Sequence, residues 1–188
     1  VEAIGVIGVE TTPRFVEDQL RRAIFAELER VHPRVERVWV VADPSDRSLQ
    51  SALNGKGTPT VVQLHGSETP ERCHQLKEQH STVRWWKALR LRTEQDLREL
   101  KRYEPHVDAL LLDAWSPEQL GGTGHRLDPS WLIRVSEQLE PNSAWWLAGG
   151  ISAEWIPELL NRITPYGLDA SSRLEEKPGV KDLDKVQA

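Results

Sequence analysis

The 188-residue sequence contains no methionine and a single cysteine, Cys73. One cysteine excludes an internal disulfide framework, and a chain without disulfides fits a reducing, cytoplasmic setting. The opening residues, VEAIGVIGVE, place no basic segment ahead of their apolar run, so they lack the pattern of a secretory signal peptide. Because methionine is absent and the apolar run begins almost at once, we expect a further N-terminal piece to precede Val1 in the natural chain.

Long apolar runs and dense basic clusters are absent as well. No apolar stretch approaches the ~20 residues that a helix needs to cross a bilayer. The formal net charge is −5, whereas nucleic acid or an anionic membrane would require a basic face. We therefore expect neither a nucleic-acid partner nor a membrane partner. The hydrophobic share of 38% and the charged share of 28% are typical of a globular protein.

Seven short apolar runs alternate with segments of helical periodicity. This alternation is typical of a parallel sheet with helices outside it, and continuous apolar strands suit burial on both faces. An open doubly wound sheet and a closed (β/α)₈ barrel both fit, although a barrel needs eight strands and usually ~200 or more residues. Since no linker or change of composition interrupts the pattern, we expect one domain over residues 1–188. The predicted strands span residues 3–9, 37–42, 60–64, 83–89, 109–112, 144–148 and 167–170.

Helix boundaries carry recognisable signals in several places. Ser45 and Thr93 stand where the side chain of an N-cap residue is expected. Pro157 lies close enough to the first turn of its helix to be tolerated. The predicted helices span residues 16–31, 45–54, 70–80, 93–102, 131–139 and 153–163, with a short helix from Asp182 onward.

The turns after the sixth and seventh predicted strands carry small residues. In parallel β/α folds the functional site lies at the carboxyl ends of the strands. Gly149 and Gly150 allow backbone N–H groups to approach a ligand closely, and Ser171 and Ser172 add hydroxyl groups. Each turn alone is compatible with an ordinary helix cap. Two such turns in successive loops favour a phosphate site, because backbone amides bind anions without lysine.

Asp113 ends the apolar run LLL and precedes a glycine-rich loop that contains Gly121, Gly122 and Gly124. A lone aspartate is more often an N-cap or a residue that orders a loop. The glycine loop favours a functional role, because it suggests a flexible cover over a site. Desolvation at the end of an apolar strand is expected to raise the pKa of Asp113.

Three further side chains are candidates, and two of them, His65 and Arg14, have two interpretations each. His65 fits either a hydrogen-bonded core histidine or a ligand contact. Arg14 fits either a surface salt bridge or a bidentate contact to a substrate carboxylate. Lys87, inside a strand after two tryptophans, fits a buried lysine paired with a carboxylate, with no assigned role.

Patterns of metal binding and of nucleophilic catalysis are missing. No His/Cys/Asp cluster has metal-ligand spacing, and no Ser/His/Asp arrangement or Walker loop is recognisable. Cys73 lies in the middle of a predicted helix, where we expect it to be inert. We therefore expect no metal and no other cofactor, and a small molecule as the ligand.

Four motifs carry a family resemblance. VVQLHGSETPERC, LLLDAWSPEQLGGTG, WWLAGGISAEW and GLDASSRLEEKPGVKD occur in this order and together resemble phosphoribosylanthranilate isomerase of tryptophan biosynthesis. IGVIGVETTPRFV resembles the second strand of that family and the loop after it, so the resemblance covers nearly the whole chain. It implies a (β/α)₈ TIM barrel in which the seven predicted strands are the second to the eighth and the first is missing from this sequence.

The family reaction is an Amadori rearrangement of N-(5-phosphoribosyl)anthranilate, an aminoaldose, to an aminoketose. A general acid protonates the ring oxygen of the ribose, and a general base then removes the proton on C2. The resemblance implies that Asp113 is the acid and that Arg14 binds the anthranilate carboxylate. It also implies a phosphate site at Gly149, Gly150, Ser171 and Ser172, with His65 and Asp169 lining the substrate site.

The sequence departs from the family at several positions. The family base is a cysteine in a Cys-Gly motif at the end of the first strand, and no such motif occurs here. We therefore expect these 188 residues alone to be inactive. Arg173 replaces a family glycine and adds a positive charge to the expected phosphate turn, and Asp128 is only loosely matched.

Two alternatives remain at this level. One is another phosphosugar barrel enzyme, such as one resembling indole-glycerol-phosphate synthase. The other is a non-catalytic barrel that binds a phosphosugar, which the absent base cysteine favours. The oligomeric state is not indicated by the sequence.

Overall fold

The structure is a computed structural model that describes residues 1–91, 93–114 and 129–187. The chain forms two compact units, Val1–Lys87 and Ala88–Ala188. Both are built from parallel strands that alternate with helices, which confirms the predicted α/β class. The seven predicted strands correspond in chain order to the first seven of the nine strands found in the described residues.

The first unit contains three complete strand–helix repeats. Its neighbouring strands pair in parallel and in chain order, β1 with β2, β2 with β3, and β3 with the start of β4. All four residues of β3 are buried, as expected for a parallel strand with cover on both faces. The elements are β1 (Ala3–Ile7), α1 (Asp18–Val31), β2 (Glu36–Val41), α2 (Asp46–Ala52), β3 (Val61–Leu64), α3 (Pro70–Gln79) and the beginning of β4 (Arg84–Leu91).

The second unit continues the alternation from the end of β4. Its strands β5, β6 and β7 pair in parallel, with Leu110 opposite Trp145 and Ala148 opposite Asp169. Ala88, Leu111 and Ala148 form a buried cluster against which Trp146 packs. The elements are α4 (Glu94–Tyr103), β5 (Ala109–Ala114), α5 (Pro129–Gln138), β6 (Trp145–Ala148), α6 (Ile156–Leu160), β7 (Gly167–Asp169), β8 (Glu175–Lys177), β9 (Val180–Lys181) and α7 (Leu183–Gln187).

Side-chain caps begin the helices where the sequence indicates them. The Ser45 hydroxyl accepts a hydrogen bond from the Ser48 N–H at 3.1 Å and starts α2. Thr93 and Asp96 form a complete capping box at the start of α4. The N-cap predictions for Ser45 and Thr93 are confirmed.

One prediction about the C-terminal third is wrong, and one pair of strands there was missed. A helix was expected over residues 153–163, but α6 begins only at Ile156 and ends at Leu160. Pro157 lies in its first turn, where the missing N–H is not needed, and the residues before it form a turn closed by the Ser152 carbonyl. The antiparallel pair β8 and β9 was not predicted, although the Pro-Gly sequence before Val180 signals its turn and Gly179 has φ 84°.

No helix in the described part of the chain is long and apolar enough to cross a membrane.

Candidate functional site

The loop after β1 holds Arg14 near the carboxyl end of that strand. Val16 donates its N–H to the Ile7 carbonyl at 2.8 Å, and Phe15 forms a bridge with Ile7. Arg14 is half-buried in the segment that these contacts fix. Its backbone is therefore held at the strand end where the sequence predicts a substrate contact.

His65 is the first residue after β3. Its backbone N–H donates to the Val41 carbonyl at 2.7 Å, which extends the β2–β3 pairing by one residue. The side chain of Gln63 approaches His65 Nδ1 at 3.4 Å, and the imidazole is half-buried. His65 thus combines the two interpretations of the sequence, since it is hydrogen-bonded to a buried neighbour and lies where ligands bind parallel β/α proteins.

A buried ion pair binds the backbone of Gly66, the residue directly after His65. Lys87 Nζ donates to Glu68 Oε2 at 2.7 Å, and each side chain is 2% exposed. The prediction that Lys87 is buried and paired with a carboxylate is confirmed. Its partner was not singled out from the sequence, because a glutamate two residues after a glycine carries no distinctive local pattern.

In the second unit, Asp113 lies one residue beyond the last residue of β5 that pairs with β6. It is 4% exposed, and the three leucines before it are at most 2% exposed. Alternation along the strand places Leu111 on the same face as Asp113. The prediction that a buried apolar strand delivers this carboxylate is confirmed. The glycine-rich loop of residues 121–124 and Asp128 lie outside the described residues.

Gly149 and Gly150 follow β6 directly. Their φ angles are 91° and 70°, which side chains rarely adopt. Glycine is therefore required by the backbone here, and two consecutive residues present their N–H groups without side-chain cover. This geometry suits an anion, as the sequence predicts, but it does not identify one.

Asp169 ends β7 opposite Ala148. The residue as a whole is exposed to solvent. Protein atoms around its carboxyl nevertheless desolvate that group and raise its pKa above the ordinary value. The positive charge of Lys181 acts in the opposite direction and is the smaller effect. A carboxyl with a raised pKa at a strand end is a common feature of functional sites.

The turn after β7 contains Ser171 and Ser172, both half-buried, and is held by Lys181. The Lys181 ammonium donates to the Ser171 carbonyl at 2.9 Å and to Glu175 Oε1 at 3.2 Å, and it lies 3.5 Å from Ser171 Oγ. Lys181 was missed from the sequence, because the contact depends on the unpredicted β8–β9 hairpin. Arg173 is exposed in a short 3₁₀ helix, Ser172–Leu174.

Cys73 is fully buried in α3. Desolvation raises the pKa of its thiol to about 11. The predicted inertness of this cysteine agrees with its burial, because the thiol stays protonated at neutral pH.

The strand order and the residues at the strand ends define the class of protein to which this chain belongs. Parallel strands alternate with helices, and polar side chains follow their carboxyl ends. The structure resembles that of phosphoribosyl anthranilate isomerase from Thermotoga maritima with a TM-score of 0.85 at 26% identity, over 100% of this chain and 85% of that one. The fold is therefore a TIM-barrel-like α/β fold.

Residues 2–188 match the family model of N-(5'-phosphoribosyl)anthranilate (PRA) isomerase. An N-(5'-phosphoribosyl)anthranilate isomerase of Nostoc punctiforme is 44% identical over 98% of this chain and 84% of its own length. The protein of the same name from Trichormus variabilis is 40% identical over the same shares of the two chains. The chain belongs to the PRA isomerase family.

Proposed function

We propose that the protein is a PRA isomerase, which converts N-(5-phosphoribosyl)anthranilate to 1-(2-carboxyphenylamino)-1-deoxyribulose 5-phosphate in tryptophan biosynthesis. Family membership over residues 2–188 favours this reaction over that of another phosphosugar enzyme. The observation that carries the proposal is the burial of Asp113 at the end of an apolar strand. A carboxyl at this position could also order a loop in a phosphosugar-binding protein, and membership of an isomerase family favours the role of proton donor.

Asp113 is the proposed general acid. Its carboxyl donates a proton to the ring oxygen of the ribose, and the C1–O bond breaks as the anilino nitrogen forms a double bond to C1. Removal of the C2 proton by a base then gives an enolamine, which becomes the aminoketose when C1 takes up a proton and the C2 hydroxyl loses its proton to become a carbonyl. A positioned acid contributes typically ~10²–10⁴-fold to such a step. The reaction moves protons only, so we propose that it needs no metal and no cofactor.

The general base is not assigned to a residue of this sequence. Cys73 is excluded from the role, because its thiol is buried in a helix and its pKa of about 11 keeps it protonated. The resemblance assigns the base to a Cys-Gly motif, and this sequence holds no Cys-Gly pair.

The substrate carries two anionic ends, and we propose separate contacts for each. Arg14 binds the anthranilate carboxylate, for which a guanidinium supplies two parallel donors. The phosphate binds the backbone amides and hydroxyls of the turns at Gly149–Gly150 and Ser171–Ser172. His65 and Asp169 line the sugar, and Lys181 stabilises the Ser171 turn through its carbonyl.

For the fold, we propose that the seven parallel strands are seven of the eight strands of a (β/α)₈ barrel and that residues 1–188 belong to one domain. The match to 85% of the length of the Thermotoga maritima protein supports this proposal.

The test is an assay of the full-length protein with freshly prepared phosphoribosylanthranilate, in which substrate fluorescence is followed and the product is identified by mass. We expect conversion that stops when a product analogue is added in excess. Given the carboxyphenylamino sugar as a second substrate, an indole-glycerol-phosphate synthase would release CO₂ from it and leave phosphoribosylanthranilate unchanged, and a binding protein would change neither compound. Either result would overturn the proposal.

A further inference from the structure

The ion pair of Glu68 and Lys87 is built into the turns that follow β2 and β3. Glu68 lies after β3 and Lys87 lies in β4, opposite Leu64 of β3. Both side chains are almost completely removed from solvent. Placing two charges there is costly, and a pair of apolar residues is often as stable, so burial alone does not explain the pair.

What distinguishes this pair is the backbone that it binds. Glu68 Oε2 accepts a hydrogen bond from the Gly66 N–H at 3.0 Å, and Lys87 Nζ donates to the Gly66 carbonyl at 2.8 Å. Both polar backbone atoms of Gly66 are thus bound to the ion pair. Gly66 directly follows His65 in the chain. The pair therefore fixes the backbone immediately after His65.

The same carboxylate also holds the turn after β2. Glu68 Oε1 accepts from the Asp43 N–H at 2.7 Å, and Asp43 has the left-handed φ of 48°. Asp43 Oδ1 in turn accepts from the Ser67 N–H at 2.9 Å. The two turns are therefore joined in both directions, each through a carboxylate of one bound to a backbone amide of the other.

The packing leaves little freedom at this point. A Cβ atom on Gly66 would lie 2.5 Å from Asp43 Oδ2 and 2.7 Å from the Asp43 backbone nitrogen. His65 is held from the other side by the hydrogen bond from its N–H to Val41. The position of His65 is consequently set by β2 before it and by the ion pair after it.

We propose that Glu68 and Lys87 are positioning residues of the reaction, which act through His65 by fixing the turn that carries it. This inference rests on the proposed function. A misplacement of about 1 Å at a substrate contact can cost ~10²-fold in rate. The pair is therefore required for the rate more than for the fold.

The test is a double-mutant cycle between the pair and His65. The pair variant is E68M/K87M, which removes both charges and keeps the buried volume similar. We expect this variant to melt below the wild-type temperature, because backbone groups of Gly66 and Asp43 lose their partners, but to stay folded at the assay temperature, where kcat falls about 10²-fold and KM changes less. In the His65→Ala background the same double substitution should lower kcat less than threefold, because the residue through which the pair acts is gone.

A second variant, Glu68→Asp, guards against a failure of E68M/K87M to fold. It keeps the charge but is too short to bind the Asp43 and Gly66 amides together, so it should lower kcat and depend on His65 in the same way. The control is Glu27→Gln, at an exposed ion pair with Arg30 on α1, which should leave kcat unchanged.

The outcomes separate the two claims. Suppose that the wild type is active. If the pair variants keep the wild-type kcat, or if kcat falls by the same factor with and without His65, this inference is overturned and the proposed function stands. A wild type that does not convert phosphoribosylanthranilate overturns both.

Discussion

At the scale of single residues, burial acts on two ionisable side chains with opposite consequences. Asp113 and Cys73 are both buried, at 4% and 0% exposure. Asp113 stands at a strand end, where parallel β/α proteins bind their ligands, whereas Cys73 lies inside a helix. Asp113 is therefore placed where a substrate can reach a strand end, while burial within a helix keeps the Cys73 thiol out of chemistry.

Substitution of Asp113 by asparagine is predicted to lower kcat by about 10²–10⁴-fold, because the amide keeps the shape of the carboxyl but cannot donate its proton to the ring oxygen. Binding of a product analogue should change little. The measurements are steady-state kinetics and calorimetric titration on the full-length protein. The control is Asp108→Asn, just before β5 at the opposite end of the strand, which should keep its turnover. Near-normal turnover of the Asp113 variant would remove this residue from the mechanism.

Cys73 is predicted to resist alkylation in the folded protein up to about pH 9. With a pKa of about 11, its thiolate is a small fraction below that pH, and the buried sulfur is out of reach of the reagent. Mass spectrometry after iodoacetamide treatment, with and without denaturant, measures this directly. Cys73→Ala should keep both fold and turnover. If that variant folds but is inactive, Cys73 takes part in the reaction after all.

At the scale of elements, two glutamates join the same three strands of the first unit at opposite ends. Glu68 does so at the carboxyl ends, where it binds turns and Lys87. Glu36, at the start of β2, accepts from Thr60 Oγ1 at 2.6 Å and pairs with Arg84 at the start of β4. The half-exposed amino-end pair contributes to stability alone, whereas the buried carboxyl-end pair lies behind a proposed substrate contact.

Glu36 is predicted to make stability depend on pH in the acid range. Desolvation raises the pKa of Glu36, but the hydrogen bonds from Thr60 and Arg84 and the charges of Arg84 and Arg37 outweigh it, so the folded pKa lies below the ordinary 4.5. A lowered folded pKa gives stabilisation that is complete above the unfolded pKa and is lost as pH falls through the folded value. The wild type should therefore exceed Glu36→Gln in free energy of unfolding at neutral pH, and the gap should close below about pH 4.5.

Urea unfolding of both proteins across pH measures that gap. The matched control is Glu78→Gln, an exposed glutamate on α3, whose difference from the wild type should stay small and constant. A gap of equal size at neutral and acid pH would show that Glu36 contributes through shape alone and not through its charge.

Elements with local signals were predictable, and elements that depend on distant contacts were not. The caps at Ser45 and Thr93 and the glycines at 149 and 150 follow from residue chemistry within a few positions. The partner of Lys87 lies nineteen residues away, and Lys181 reaches Ser171 from ten residues further along. Such contacts depend on which strands become neighbours. Sequence alone therefore predicted the strands and which candidate residues follow them, but not the side chains that hold those turns in place.

At the scale of the whole molecule, ligand binding and stability are linked. A ligand that binds only the folded state stabilises all of the structure that unfolds with the site, however local its contacts are. The proposed phosphate turns follow β6 and β7, strands that carry buried residues such as Leu147. Their occupancy should therefore be visible in the melting temperature.

Inorganic phosphate is predicted to raise the melting temperature of the full-length protein. At a hundred times its dissociation constant the ligand adds ~2.7 kcal/mol, which for a chain of this size is about 5–10 °C. The test is a phosphate titration at constant ionic strength, with chloride replaced to hold the salt fixed. Gly150→Ala should lower the melting temperature without phosphate and reduce the rise with it, since φ 70° strains alanine and relief of that strain would turn the amides proposed to bind the anion. Gly55→Ala is the matched control, because its φ of 88° imposes a similar strain while its nearest neighbour, Arg22 Nη1, is 3.8 Å from the added Cβ. That variant should start from a lowered melting temperature and still show the full rise with phosphate. Equal rises in the two glycine variants would place the anion elsewhere, and no rise in the wild type would contradict the phosphate site itself.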